Sequence, residues 1–117
     1  MKTLIILNDP PYGTERSYNG LRLAGALVKH VPDQGVTVFL MGDGVFCAKK
    51  GQKTPEGFYN IERMLHRVTS GGGQLLICGT CMDARGLETA ELVDGAERST
   101  MDALTALTMA SDKAISF

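Results

Sequence analysis

The chain has 117 residues, carries 12 Lys+Arg against 13 Asp+Glu for a formal net charge of −1, and is 44% hydrophobic. That is the size and composition of one ordinary globular domain with a core of its own, which excludes disorder and a disulfide-held miniature. The charge balance argues against nucleic acid as a partner, and no apolar run approaches the roughly 18–20 residues that would span a bilayer.

Met1-Lys2-Thr3 runs straight into Leu4-Ile5-Ile6-Leu7, a first strand. No apolar h-region with a cleavage site is present there, so a cytoplasmic protein is expected. The loop Asn8-Asp9-Pro10-Pro11-Tyr12-Gly13 lacks the glycine spacing of a dinucleotide or P-loop site. Leu21, Ala24, Leu27, Val28 and Val31 then form a helical stripe, with Thr14 placed to cap it and Pro32 to end it. Val36–Met41 is the second strand. A long insert from Gly42 to Tyr59 follows, in which Val45–Ala48 has room for one helical turn.

Ile61, Met64, Leu65 and Val68 share one face of a second helix, stopped by Gly71-Gly72-Gly73. Leu75–Cys78 is the third strand. The last helix is expected to begin near Ser99, with Asp102 in capping-box spacing and Met101, Leu104 and Leu107 facing inward, and Ala114–Phe117 is a closing strand. The first three strands are nearly continuous apolar runs, as befits strands covered on both faces. Strands alternating with helices in this way predict a three-layer α/β/α sandwich with a mainly parallel sheet, formed as a single domain over residues 1–117.

Three cysteines, Cys47, Cys78 and Cys81, are too few and odd in number for a disulfide framework in a reducing compartment. Cys47, beside Phe46, reads as a packing residue. Cys78 and Cys81 form a Cys-x-x-Cys pair at the carboxyl end of the third strand, the edge where open α/β sheets bind ligands. Backbone N–H groups of a following helical turn would favour a thiolate there, and Arg85 could add positive charge. The residues leave several readings open: a reactive thiol, a thioredoxin-like dithiol, inert packing, and half of a zinc site. Zinc would need two more ligands, and only Cys47, His30 and His66 remain. Asp9, Asp43 and Asp83 can all reach the same edge, but acidic loop residues are usually just solvated, so no metal site is expected.

Gly42-Asp43-Gly44-Val45, Lys50-Gly51-Gln52, Tyr59-Asn60-Ile61-Glu62 and above all Cys78-Gly79-Thr80-Cys81-Met82-Asp83-Ala84-Arg85-Gly86-Leu87 resemble the DsrE/DsrF-like family, in its YchN-like branch. The similarity runs along essentially the whole chain. It implies a flavodoxin-like sandwich assembled into homotrimers or homohexamers, and a part in sulfur relay without a bound organic cofactor. In the sulfur-carrying members, a cysteine matching Cys78 holds sulfane sulfur as a persulfide between a protein donor and a protein acceptor.

Cys81 would then assist or resolve that persulfide. Gly79 and Thr80 would support it through backbone N–H groups, and Asp83 and Arg85 would fix the turn or pair across a subunit boundary. Asp43 and Gly44 are candidates for a loop contribution. Sulfur-relay subunits typically carry a small apolar residue in place of Cys81. The pair therefore also fits a thiol–disulfide or sulfur-reducing protein, and an assembly subunit with inert cysteines is a third class.

Overall fold

The apolar runs become neighbouring strands because each is too hydrophobic to face water on either side. The computed structural model describes residues 1–30, 35–55 and 58–117. Strand β1 (Thr3–Leu7) leads to helix α1 (Arg16–His30), then β2 (Val36–Leu40) and a 3-10 helix at Gly42–Ala48. Helix α2 (Ile61–Ser70), β3 (Gln74–Cys78) and the short α3 (Gly79–Ala84) follow. A 3-10 turn at Thr89–Glu91, β4 (Ala96–Ser99), α4 (Met101–Ala110) and β5 (Lys113–Ser116) complete the chain.

The five strands make one sheet in the order β4-β3-β2-β1-β5, and every pairing is parallel. The chain moves outward from β1 to β4 and then returns to the far side of β1. Because parallel crossovers are right-handed as a rule, a β4–β5 connection that runs back across the sheet is expected on the face opposite α1 and α2. Strand β2 is buried at every position, and Phe39 is among the largest fully buried side chains. Above it, α1 contributes Leu21, Ala24 and Val28, and α2 contributes Ile61, Leu65 and Val68. The two helices pack against each other as well as against the sheet.

Several sequence expectations need correction. Strand β4 was not expected, because Ala96-Glu97-Arg98-Ser99 has no apolar run. It is held by backbone pairing to β3 at the sheet edge, where burial demands little of its side chains. Ser99 is therefore the end of a strand, and Thr100 caps α4 by accepting the N–H of Ala103 at 3.1 Å. Met101 faces solvent at 58% exposure rather than the core, while Leu104 is buried and Leu107 half-buried. Helix α1 begins at Arg16, so Thr14 falls one residue short of the N-cap position, and its hydroxyl donates to the Asp9 carboxylate at 2.9 Å. Val31 and Pro32, read as the end of that helix, lie outside the described residues. The helical turn expected at Val45–Ala48 is present as part of the longer 3-10 helix.

Candidate functional site

Cys78 is the last residue of β3 and also the N-cap of α3. Extended backbone ends there, and the sulfur takes over the role that a serine or aspartate oxygen usually fills. The Cys81 N–H donates to Cys78 Sγ at 3.3 Å, and Thr80 Oγ1 lies 3.4 Å from the same sulfur. The two cysteines have Cα atoms 5.3 Å apart and their sulfurs are joined as a disulfide. Cys78 is only 6% exposed, Cys81 is half-buried and Thr80 is exposed, so the approach to the pair is from the Thr80–Cys81 side. Met82, fully buried, anchors the short helix to the core.

Two ion pairs hold α3 from outside. Arg85 Nε donates to Asp43 Oδ1 at 2.9 Å while its Nη1 reaches the Cys81 carbonyl at 3.1 Å. Asp43 of the insert is thereby tied to the end of α3, and Arg85 pairs within the chain. Arg98, on β4, grips Asp83 through two hydrogen bonds of 2.9 and 2.7 Å. These bonds hold the Asp83 carboxyl below its ordinary range.

The Arg98 guanidinium lies against Gly79. A Cβ there would fall 2.7 Å from Arg98 Nε, so glycine at this position lets the clamp close. Sequence reasoning missed Arg98, because nothing in its neighbourhood separates it from any solvated arginine. Gly44 belongs to a different contact, packed onto the backbone of Leu7.

The other motif residues brace the insert. Glu62 accepts the N–H groups of Gly51 and Gln52 at 3.1 and 2.8 Å. The Gln52 side-chain amide donates to the carbonyls of Cys47 and Lys49, and Tyr12 bonds Gln52 in turn. Asp9 sits in this corner rather than beside the dithiol, with its carbonyl accepting from Ser17 at 2.7 Å and from the Cys47 thiol at 3.7 Å.

Cys47 is fully buried, and desolvation pushes its thiol up to about 12. On reduced protein near neutral pH, iodoacetamide is expected to label Cys78 and Cys81 and to spare Cys47 until the fold is opened with denaturant. Peptide mapping of the alkylated cysteines checks this. His30 and His66 are both exposed. Among the described residues, no group of three or more His, Cys, Asp and Glu side chains could hold a metal ion, and no helix is long and apolar enough to cross a membrane.

A parallel five-stranded sheet with helices, carrying a Cys-x-x-Cys pair at a strand-to-helix junction, defines the class: an α/β sandwich domain. The chain belongs to the DsrE/DsrF-like family, which it matches over residues 1–117. It is 40% identical to protein YchN of Escherichia coli K12 over 99% of this chain and 98% of that one. It is also 37% identical to an uncharacterized protein of Methanocaldococcus jannaschii, over the full length of both. The crystal structure of the E. coli ychN protein superposes with a TM-score of 0.94, again at 40% identity and covering 99% and 98% of the two chains. A protein of unknown function from Methanobacterium thermoautotrophicum, 12% identical, shares the fold with a TM-score of 0.77 over the full length of both chains.

Proposed function

We propose that this chain is a sulfur-relay protein that carries sulfane sulfur on Cys78 as a persulfide. The observation behind this reading is the Cys78 sulfur at the strand-to-helix junction, accepting a backbone N–H and bonded to the sulfur of Cys81. A hydrogen bond to sulfur favours the thiolate, which is the nucleophile. In the loading step the reduced Cys78 thiolate attacks the outer sulfur of a donor persulfide. The donor's S–S bond breaks, the donor leaves as a thiol, and Cys78 holds S–SH. Transfer repeats the exchange with an acceptor thiol.

Cys81 offers a second exit. Its thiolate can attack Cys78 Sγ of the persulfide, forming the Cys78–Cys81 disulfide and releasing sulfide. A thiol reductant must then regenerate the dithiol before the next load. The test is intact mass of reduced protein after exposure to a persulfide donor, with Cys78→Ser alongside. No added sulfur on the wild type sinks the carrier reading.

A thiol–disulfide role is the second reading, favoured by the adjacency of the two sulfurs. It predicts reversible interconversion of dithiol and disulfide across a series of glutathione buffers, read by thiol trapping. Donor and acceptor are proposed to be proteins, and the working unit a homotrimer or homohexamer. Support for assembly comes from α4, an apolar helix that buries only Leu104 and leaves Met101 and Met109 at 58% and 83% exposure. Native mass tests it.

A further inference from the structure

The outer face of α1 and α2 concentrates positive charge that the chain as a whole does not have. Arg22 and Lys29 on α1, Arg63 and Arg67 on α2, and Lys50 of the insert are all exposed. The ion pairs among the described residues join Arg16 to Asp9, Arg85 to Asp43 and Arg98 to Asp83, so none of these five cations has a carboxylate partner there.

The surface is also grooved. A cleft of about 630 Å³ runs along α2 past Lys50, Arg63, His66 and Arg67. On the other flank of α2, a cleft of about 420 Å³ is lined by Arg22, Lys29, Met64 and Arg67, and a third of about 230 Å³ by Tyr18, Phe58 and Tyr59 together with Arg22, Arg63 and Arg67. Arg67 forms part of all three.

We propose that this grooved face is a docking surface for an acidic segment of a partner protein, carboxylates lying over the arginines and an apolar side chain entering the aromatic corner. Phe58 is 69% exposed there, and the Tyr18 and Tyr59 rings stack with centroids 4.2 Å apart. Exposed aromatics beside arginines are the pairing that dominates protein–protein contacts. Polyphosphate is the poorer fit. It brings no apolar side chain for the corner of Tyr18, Phe58 and Tyr59, and a chain of net charge −1 supplies no general attraction for so dense an anion.

The aromatic corner lies at the start of α2, which the chain enters from the carboxyl end of β2, and Cys78 sits at the carboxyl end of β3. A docked partner therefore approaches the sheet edge that bears the dithiol. Docking does not require the sulfur chemistry, and the two can fail separately.

The probe is a short fluorescent peptide of alternating glutamates and apolar residues with a central phenylalanine. Its all-glutamine counterpart and a fluorescent oligouridylate serve as comparisons, all read by anisotropy. The acidic peptide is expected to bind, to weaken with added salt, and to lose about tenfold or more in affinity with R63E/R67E and with R22E/K29E. Lys113→Glu, on the far edge strand, should leave it unchanged. Thermal melts identify any variant that fails to fold, and the two double variants lie on different helices so that one can stand in for the other. Equal binding by folded charge-reversed protein, no binding of the acidic peptide, or tighter binding of oligouridylate would each overturn the proposal.

Discussion

Cys78→Ser is expected to abolish sulfur loading while leaving the fold in place. The first half follows from chemistry: a serine hydroxyl is neither ionised near neutral pH nor able to form a sulfur–sulfur bond. The second half follows from the cap. Residue 78 holds the first turn of α3 by accepting the Cys81 N–H, and serine is among the preferred residues for that task. Alanine would remove both functions at once and confuse them. Cys81→Ser is the informative companion, expected to retain the added sulfur and to release less sulfide, because the resolving thiol is gone. Intact mass with a sulfide assay reads both variants. If Cys81→Ser loses loading while Cys78→Ser keeps it, the roles of the two residues are reversed, a result the greater exposure of Cys81 makes worth seeking.

Gly44→Ala is expected to be strongly destabilising. The Gly44 N–H donates to the carbonyls of Asn8 and Met41 at 3.1 and 3.0 Å, which draws the insert down onto the end of β1. A Cβ added there would run into the Leu7 carbonyl oxygen, and its carbonyl carbon is only 3.0 Å away. Leu7 is backbone in a central strand, paired with Leu40, so it cannot turn aside as a side chain would. A loss of about 1–3 kcal/mol, toward the upper end, is expected for this kind of overpacking. Gly25→Ala in α1 is the matching control. Nothing lies within 4 Å of its added Cβ, and helix propensity favours alanine there by roughly 0.5–1 kcal/mol. Urea unfolding midpoints should move in opposite directions.

What could be read from the sequence follows physical rules that differ from strand to strand. The runs in β1, β2 and β3 announce themselves because strands buried on both faces must be apolar throughout. Strand β4 gives no such signal, since an edge strand satisfies its backbone through one neighbour and can carry Glu97 and Arg98. Missing it moved the expected start of the last helix onto a strand residue. The dithiol was legible because a strand end, a glycine and a fixed cysteine spacing occur together within a few residues.

Its supports were not. Asp43 and Arg85 are 42 residues apart, and only the insert's path brings them together. Arg98 reaches Asp83 from a neighbouring strand, so its role depends on a pairing that side-chain pattern does not encode. The motif residues Gln52, Asn60 and Glu62 carried a family likeness, and their hydrogen bonds give it a structural cause in bracing the insert.

Helix α4 has a thermodynamic consequence. It buries one side chain, Leu104, fully, and beyond it β5 is exposed at three of its four positions. A second copy covering this corner, as the proposed assembly requires, would bind the native chain and not the unfolded one, and would add stability by mass action, growing with the logarithm of its concentration. The melting temperature of the protein would then be set partly by its concentration, and dilution would loosen α4 and the β5 edge of the sheet before the buried β2 at its centre.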